Sequence, residues 1–514
     1  AISCPAMAGY SGGAPAAAHS LKEAGAPVAL REASGSFDHV FTPKHRGTIH
    51  DNYELADILG EGSFGRIFRG RSRATSDPAA LLGEAMGCSA SPKESETVRA
   101  IKTISIDVTS TRFGAEVEVQ QQLDHPNVAR LYEVFQDKVK YYLVLELCTG
   151  GELFDKAVAA GGMFSEGTCA LYMRQLLAAV NYLHFNHVAH RDIKPENLLL
   201  HSSAADAPLK LIDFGCSRTF EDGKLMTTCV GTPLYIAPQV LKRAYDQRCD
   251  VWSCGVIMYV LLCGSAPFIA ASQDDLLKKI ELGFFEFDDD DWEDISDSAR
   301  DVVARMLTVD ASKRPTAAEL LEDAWLTTGA SGARDSLPAG LVTRLRTFVA
   351  LSQFKKISLS MAAQLADDDN IKELQSTFMS LDQNKDGMLS HREIREGLAS
   401  HGVVLPSNIT AILDQVDTNA SGSISYTEFI ASTITRKQYL RDEVLWNVFR
   451  TFDLDGDGKI QRQEFEQVVK LSDREDIARI YEEADLSGDG QIDFFEFCTM
   501  MRKKAKIKND VEEG

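Results

Sequence analysis

The stretch that decides the fold is His190-Arg191-Asp192-Ile193-Lys194-Pro195-Glu196-Asn197, and Asp213-Phe214-Gly215 follows it after a short interval. Asp192 brings a carboxylate that can accept a proton, while Asn197 and Asp213 bring oxygen ligands suited to Mg²⁺. Lys194 adds positive charge between them. A proton acceptor, cation ligands and nearby positive charge are the groups that phosphoryl transfer requires. We therefore predict that these four residues are catalytic.

A glycine-rich run lies upstream, between two segments with strand-like patterns. It reads Gly60-Glu61-Gly62-Ser63-Phe64-Gly65 and continues through Arg66 to Ile67. Glycines let backbone N–H groups approach phosphates closely, so we expect this run and Ile67 to cover the phosphates of a nucleotide. No helix-like pattern opens behind it, which disfavours a dinucleotide-binding fold. A plain turn between strands is the alternative for the run taken alone.

A lysine and a glutamate complete the predicted site. Lys102 ends the strand-like run that starts at Val98, and Glu116 lies on a helix-like segment ten residues before Pro126. We expect an ion pair between them that holds the lysine ammonium against the α- and β-phosphates. Two unrelated surface charges are the alternative.

Taken together, these motifs resemble those of the serine/threonine protein kinases over residues 53–326. The runs Gly231-Thr232-Pro233 and Asp250-Val251-Trp252-Ser253-Cys254-Gly255 agree with the resemblance. It implies an α+β bilobal kinase fold, with ATP as the phosphate donor and Mg²⁺ as its metal. It also implies that Leu145 lies at the back of the adenine pocket and that Glu146 and Cys148 belong to the hinge that binds the adenine.

One residue departs from the kinase pattern. The family's Ala-Pro-Glu stands here as Ala237-Pro238-Gln239, so that Arg314, by resemblance the partner of that glutamate, lacks its acid. A buried arginine without a carboxylate is costly. We expect a less stable substrate-binding segment but no loss of catalysis.

Two acids indicate a substrate preference. In kinases with this pattern, acids at the positions of Glu152 and Glu196 line the substrate groove. We therefore expect protein substrates that carry Arg or Lys upstream of the target Ser or Thr. Ordinary solvated acids are the alternative.

Downstream, four twelve-residue loops begin at spacings of 35, 36 and 32 residues. They follow the EF-hand rule of oxygen ligands at positions 1, 3, 5, 7, 9 and 12, with the backbone carbonyl serving at position 7 and glycine at position 6. We expect an all-α calmodulin-like domain of two EF-hand pairs over residues 371–502, with Ca²⁺ as the ligand. The residues at the six ligand positions are Asp382, Asn384, Asp386, Met388, Ser390 and Glu393 in loop 1, Asp417, Asn419, Ser421, Ser423, Ser425 and Glu428 in loop 2, Asp453, Asp455, Asp457, Lys459, Gln461 and Glu464 in loop 3, and Asp485, Ser487, Asp489, Gln491, Asp493 and Glu496 in loop 4.

The connector between the two halves covers residues 327–370. Apolar residues recur at helical spacing from Leu341 through Phe348 to Phe354, and every charge from Leu341 to Ser360 is basic. This pattern predicts one basic amphipathic helix of the kind that calmodulin-like domains hold in their apolar grooves. Without calcium the helix would block the catalytic cleft instead. A helix that only packs one domain on the other is the alternative.

Composition limits the remaining possibilities. The formal net charge of −22 argues against nucleic acid as a partner, and the ten cysteines include no C-x-x-C pair that would indicate a zinc site. The uncharged stretch 251–273 is long enough to span a membrane, but its place inside the kinase signature predicts a buried helix. We expect no transmembrane segment and a cytoplasmic monomer.

The remaining segments carry little pattern. Their composition predicts a disordered extension over residues 1–50 and a mobile insertion over residues 72–97. Residues 503–514 are predicted to form a C-terminal tail. The chain opens on Ala1, so a trimmed N-terminus and membrane association through an N-terminal lipid are left open.

The order of kinase, basic connector and four EF-hands resembles the calcium-dependent protein kinases of plants and protists. The resemblance implies a serine/threonine kinase that calcium activates through its own EF-hands and that the connector inhibits without calcium. Phosphorylation of Thr227 or Thr228 is left open. Two rival functions remain at this point: a calcium-binding scaffold with a silent kinase domain, and a constitutive kinase that its EF-hands do not regulate.

Ligand charge ranks the four loops and gives a first prediction. Loops 3 and 4 have four carboxylates each, loop 1 has three and loop 2 only two. Because affinity rises with ligand charge, Glu428→Gln is expected to remove the weakest calcium-binding event in calorimetry. Glu464→Gln, the matched change in loop 3, should remove a tight event. Loss of the tightest event in Glu428→Gln would contradict the ranking.

Overall fold

The structure is a computed structural model that describes residues 44–46, 48–62, 65–73, 98–106, 116–270, 272–328, 337–338, 340–366, 368–469 and 474–503. Most of the predicted insertion at 72–97 lies outside the described residues, as do most of the predicted tail and residues 1–43 of the predicted extension. Within the described residues the fold is of the α+β class that the sequence predicts. A sheet-based lobe and a helical lobe are followed by paired EF-hands.

The first lobe is built on a six-stranded sheet in the order β1-β5-β6-β4-β3-β2. Neighbouring strands are antiparallel except for β1, which runs parallel to β5. Gly65 has a φ of +150°, and a Cβ there would lie 1.8 Å from the carbonyl oxygen of Thr103, so only glycine lets β3 lie this close to β4. The strands are β1 (Lys44–Arg46), β2 (Tyr53–Gly62), β3 (Gly65–Ser72), β4 (Val98–Ser105), β5 (Leu131–Gln136) and β6 (Lys140–Leu145).

The prediction of disorder over residues 1–50 is wrong at its C-terminal end. Besides strand β1, a short helix, α1, spans Ile49–Asn52 and is capped by the Thr48 side chain. Ile49 is fully buried against Tyr53 and Phe135. The Ala- and Gly-rich composition of the whole stretch concealed this short apolar segment.

The second lobe is helical and packs around one long buried helix. Helix α6 is buried from Cys249 to Cys263 and ends at Gly264, whose φ of +78° stops it. The uncharged stretch is therefore a core helix as far as Cys263, in agreement with the prediction of a buried helix. No helix among the described residues is long and apolar enough to cross a membrane. Helix α2 (116–120) packs Val117 against the sheet of the first lobe. The helices of the second lobe are α3 (Leu153–Ala159), α4 (Glu166–Phe185), α5 (Pro238–Leu241), α6 (Arg248–Cys263), α7 (Gln273–Leu282), α8 (Asp289–Trp292), α9 (Asp297–Met306), α10 (Ala317–Leu321) and α11 (Ala324–Thr328), and the short strands are β7 (Val188–Ala189), β8 (Leu198–Leu200), β9 (Leu209–Leu211) and β10 (Arg218–Thr219).

The connector forms two helices where the sequence predicted one. Helix α12 covers Leu341–Val349 and helix α13 covers Gln353–Leu365. Ser352 adopts an extended N-cap conformation before α13, so the chain breaks there. The prediction of a single helix is therefore wrong, because helical spacing of apolar residues continues across a break of three residues.

Four EF-hands follow the connector, and their loops pair through short antiparallel strands. Leu389 of loop 1 pairs with Ile424 of loop 2, and Ile460 of loop 3 pairs with Ile492 of loop 4. The helices are α14 (Asp368–Leu381), α15 (His391–Ser400), α16 (Ile409–Val416), α17 (Tyr426–Thr433), α18 (Arg436–Tyr439), α19 (Asp442–Phe452), α20 (Arg462–Val469), α21 (Arg474–Glu482) and α22 (Phe494–Arg502), and the strands are β11 (Met388–Ser390), β12 (Ser423–Ser425), β13 (Lys459–Gln461) and β14 (Gln491–Asp493).

Helix α13 is enclosed by the EF-hands rather than lying on their surface. It packs against α17 of the first pair and α19 of the second. The ring of Phe354 stacks on Phe465 at 4.9 Å and contacts Phe452 and Phe497. Lys355 is also buried, and its ammonium donates to the carbonyls of Met501 and Lys503. The basic face predicted for this helix is therefore buried here.

Arg314 meets Gln239 as the sequence predicts, and the pair is supported by carbonyls. The guanidinium donates to Gln239 Oε1 at 3.2 Å, to the Thr308 carbonyl at 2.8 Å and to the Arg248 carbonyl at 2.7 Å. Burial lowers the pKa of Arg314 to about 10. The amide of Gln239 also donates to the Val309 carbonyl. The hydrogen-bond acceptors of Arg314 are thus neutral, and Asp246 and Asp310 offset its charge only in part.

Gln239→Glu is expected to stabilise the kinase domain, because a carboxylate would compensate the buried charge and outweigh the lost bond to Val309. A gain of about 1 kcal/mol corresponds to a melting temperature higher by about 2–4 °C in calorimetry. Gln136→Glu, on an exposed strand position, is the control and should leave the melting temperature unchanged. An unchanged or lower melting temperature for Gln239→Glu contradicts the account.

Candidate active site and calcium loops

Lys102 lies at the centre of the predicted active site. Strand β4 holds its ammonium 2.7 Å from Glu116 Oε1 and 2.7 Å from Asp213 Oδ1. Burial alone would lower the pKa of Lys102, but the two carboxylates outweigh it and raise the pKa above its ordinary value. The same ion pair lowers the pKa of Asp213 against the effect of its burial. The predicted ion pair with Glu116 is present, and Asp213 joins it.

The loop that carries Asp192 is anchored by a buried carboxylate. Asp250, in helix α6, accepts from the backbone N–H of His190 at 2.9 Å and of Arg191 at 2.7 Å. Its carboxylate also bonds the ring of His184. Arg191 and Asp213 both adopt positive φ, of 69° and 62°. Such strained backbone clusters at functional sites, where the surrounding structure fixes it.

Two predicted catalytic residues, Lys194 and Asn197, meet Asp192, and Thr232 joins them. Lys194 Nζ lies 3.1 Å from Asp192 Oδ2, and the Thr232 hydroxyl donates to Asp192 Oδ1 at 2.8 Å. The amide of Asn197 donates to the Asp192 carbonyl at 2.8 Å. Burial lowers the pKa of Lys194, but the attraction of Asp192 exceeds it and raises the pKa overall. The carboxylate is thus held in position with a cation beside it.

Asn197 and Asp213 offer the oxygen atoms that would hold Mg²⁺. The amide nitrogen of Asn197 is engaged with the Asp192 carbonyl, which leaves its side-chain oxygen as the atom of ligand type. Asp213 uses Oδ1 for Lys102 and for the N–H of Gly215. Carboxylate and amide oxygens are the ligands that Mg²⁺ takes in phosphoryl-transfer sites.

The structure describes only part of the run that is predicted to bind the nucleotide. Gly60 and Gly62 pair with Ile67 and Gly65 across the β2–β3 hairpin. The side chain of Glu61 and the whole of Ser63 and Phe64 lie outside the described residues.

Glu146, which the resemblance assigns to the hinge, forms a buried polar cluster in the structure. Its carboxylate is buried 2.8 Å from Lys210 and 3.0 Å from the His201 ring. Despite burial, the attraction of Lys210 lowers its pKa. A nucleotide contact at Glu146 therefore falls to its main chain. Cys148, two residues on, follows strand β6 in a partly buried position.

All four calcium loops share one turn geometry. The aspartate at position 1 accepts through Oδ2 from the N–H of the glycine at position 6, at 3.1, 2.7, 3.0 and 2.9 Å in loops 1 to 4. These glycines have φ between 79° and 88°, the left-handed region that glycine adopts at no cost. The glutamate at position 12 reaches back to the backbone N–H groups at the start of each loop. The predicted ligand residues are thus gathered around each loop.

The oxygen atoms of the loops fit calcium. Asp382 Oδ1 is buried without a hydrogen-bond partner, and burial raises the pKa of Asp382 to about 7. In loop 3 the carboxylate oxygens of Asp453, Asp455 and Asp457 lie within 4.8 Å of one another. Clustered carboxylate oxygens are the donor set that Ca²⁺ takes.

Loop 2 differs from the others in a way that supports its low rank. Its position-5 residue, Ser421, donates its hydroxyl to the Ser423 carbonyl at 2.8 Å. Both oxygens are predicted calcium ligands, and calcium has to compete with this bond for the Ser423 carbonyl oxygen. Loop 2 therefore has both the lowest ligand charge and a competing internal bond.

The sequence did not reveal the contacts that anchor the chain at Cys216 and at Thr228. Arg191 donates to the Cys216 carbonyl at 2.7 Å and to the Tyr245 hydroxyl at 3.1 Å. The Tyr245 hydroxyl in turn donates to the Thr228 carbonyl at 2.6 Å. Arg191 belongs to the run from His190 to Asn197, so the sequence placed it near the site. Tyr245 belongs to no recognised motif, so its contacts could not be predicted from the sequence.

Comparison with known proteins finds two families along the chain. The protein kinase domain family matches residues 53–326, and the EF-hand domain pair family matches residues 371–434 and 442–502. The chain is 34% identical to calcium-dependent protein kinase 3 of Plasmodium berghei (strain Anka) over 89% of its own length and 81% of the relative's. It is 35% identical to calcium-dependent protein kinase 33 of Arabidopsis thaliana, over 88% and 84%. It is 38% identical to calcium-dependent protein kinase 2 of Zea mays, over 75% and 76%.

Proposed function

The chain belongs to the calcium-dependent protein kinases, and from this premise we propose how its own residues link calcium to the phosphorylation of serine and threonine. The EF-hand pairs hold helix α13 and thereby keep the connector out of the substrate cleft. The observation that carries this proposal is the enclosure of α13, which is buried at every residue from Phe354 to Ala363. EF-hand pairs that lose calcium close their apolar grooves. The connector is then released and free to block the cleft.

The catalytic roles follow from the contacts around Asp192. Its carboxylate accepts the proton of the substrate hydroxyl, and Lys194 supplies positive charge beside the transferred group. Lys102, held by Glu116, positions the α- and β-phosphates of ATP. Thr232 orients Asp192 through their hydrogen bond.

The nucleotide and metal sites use the remaining predicted residues. Asn197 and Asp213 would hold Mg²⁺, which supplies charge neutralisation on the phosphates. The backbone of the hairpin from Gly60 to Gly65 covers the phosphates, and the main chain of Glu146 and Cys148 receives the adenine.

The substrate groove is acidic. Burial, together with the charges of Asp155 and Glu196, raises the pKa of Glu152. Carboxylates that repel one another gain from a cation placed between them. This supports a preference for protein substrates with Arg or Lys upstream of the target hydroxyl.

The proposed division of the chain follows these roles. Residues 53–326 transfer the phosphoryl group, residues 327–370 connect and regulate, and residues 371–502 bind calcium.

Charge removal tests the substrate preference. Glu152→Gln and Glu196→Gln are expected to raise the KM of a peptide with an upstream arginine about tenfold, the scale of about 1.4 kcal/mol, with little change in kcat. A peptide without the arginine is the control, and its KM should not change. Because the pKa of Glu152 is raised, lowering the pH protonates it earlier and should raise the KM of the basic peptide in the parent protein. Equal effects on both peptides contradict the assignment.

Calcium and chelator test the regulatory proposal. The full chain is expected to phosphorylate a basic peptide with calcium and to lose this activity with chelator. Phe354→Ala removes the ring held by the second EF-hand pair, so half-maximal activation should require more calcium. Phe185→Ala, at an exposed position of α4, is the matched control.

Each alternative has its own outcome in this assay. Equal activity in calcium and chelator would indicate a constitutive kinase, and no activity in either would indicate a scaffold. A calcium response unaltered by Phe354→Ala would contradict connector capture, by which we mean that the EF-hand pairs hold α13.

A further inference from the structure

The kinase domain touches calcium loops 1 and 2 through a defined surface, which we call the docking face: Asp124, His125, Asn181 and Tyr182. Asn181, on helix α4, donates its amide to the Lys385 carbonyl of loop 1 at 2.8 Å. The contact lies inside a predicted calcium loop rather than on a distant helix of the EF-hand domain.

Loop 1 approaches the docking face too closely for a side chain at its turn. A Cβ on Gly387 would lie 2.4 Å from a ring carbon of Tyr182 and 3.0 Å from the His125 ring. These two rings stack at 5.1 Å, and the Tyr182 hydroxyl accepts from the N–H of Asp124 at 2.8 Å. The face is therefore rigid and fitted to the loop backbone.

The strongest contact reaches the exit helix of loop 2. The carboxylate of Asp124 accepts from the backbone N–H of Thr427 at 2.7 Å and from its hydroxyl at 2.9 Å. Both residues are buried. Thr427 stands in the first turn of α17, directly before Glu428. A carboxylate at this end of a helix is stabilised by the exposed N–H groups and the helix dipole.

The position of this contact matters because loop 2 depends on Glu428. Glu428 is one of only two carboxylates in the loop and is fully buried. Its N–H donates to the Ser425 hydroxyl at 3.2 Å, and its carboxylate accepts from the N–H of Thr418 at 2.8 Å. Fixing the first turn of α17 therefore fixes the loop's principal ligand. Pre-organised ligands bind more tightly because less ordering remains to be done.

We propose that the kinase domain is part of calcium site 2: Asp124 holds the first turn of α17, so that loop 2 binds calcium more tightly in the docked chain than loop 2 alone would. By linkage, calcium in loop 2 strengthens docking by the same factor. This goes beyond connector capture, because it concerns a contact between the kinase domain and a loop and does not involve α13. Asp124 acts as a positioning residue and does not bind the ion.

The test is calcium calorimetry on the full chain. Asp124→Ala is expected to weaken the calcium-binding event that Glu428→Gln removes by about tenfold, within the usual range of coupling between sites. Thr427→Val removes only the hydroxyl bond and should weaken the same event by about threefold. Asp297→Ala, at a fully exposed acid on helix α9, is the matched control and should change nothing.

A double variant separates a local effect from a general one. In the Glu428→Gln background, Asp124→Ala should leave calcium binding by the other loops unchanged. A similar loss of affinity at the other loops would show that Asp124 acts through whole-domain docking, and would overturn the proposal.

The remaining outcomes are also decisive. Unchanged affinity in both Asp124→Ala and Thr427→Val would overturn the proposal. If Asp124→Ala melts early in chelator, Thr427→Val carries the test, since it leaves the kinase domain intact. Calorimetry measures calcium binding and not kinase activity. The test of this proposal therefore stands even if calcium does not activate the kinase.

Discussion

The structure depends on a helix that has no exposed face along most of its length. Helix α13 is buried from Phe354 to Ala363, including two lysines and two serines. A helix buried all round needs cover on every side, and here both EF-hand pairs provide it. Its polar groups need partners as well, and Lys355 finds them at the carbonyl end of α22. Burial and the nearby Arg436 lower the pKa of Lys355 to about 8. This enclosure requires open EF-hand grooves. The calcium occupancy of the loops and the position of the connector are therefore coupled.

The catalytic half obeys a parallel constraint. Asp250 is buried in the core helix α6 and holds the catalytic loop by its backbone. Lys102 ties strand β4 to Glu116 and to Asp213. Each anchor is a charge taken out of water, which is stable only when its partners stay in place. A rigid kinase core can then present a fitted surface, the docking face, to the loops. Without such rigidity, close contact with Gly387 would not favour one arrangement of the loop.

The sequence predicts residues whose chemistry and spacing are both restricted. Lys102 meets Glu116 and Asp213, and Asp192 meets Lys194, because phosphoryl transfer admits few alternatives at those positions. The break before α13 could not be predicted, because apolar spacing is the same on either side of a short turn. The buried Glu146 carboxylate was also hidden, since its partner Lys210 lies far along the chain. Long-range polar contacts leave no periodic signal in a single sequence.

The two EF-hand pairs contact different parts of the chain, and their ligand charges explain the difference. The second pair, with four carboxylates in each loop, surrounds the Phe354 ring. The first pair, with fewer carboxylates, meets the docking face through Lys385 and Thr427. A loop with high ligand charge gains its affinity from its own oxygens. A loop with low ligand charge gains more from having its ligands held in place by a partner. The kinase domain supplies that support at Glu428, where the chain's own ligand charge is lowest.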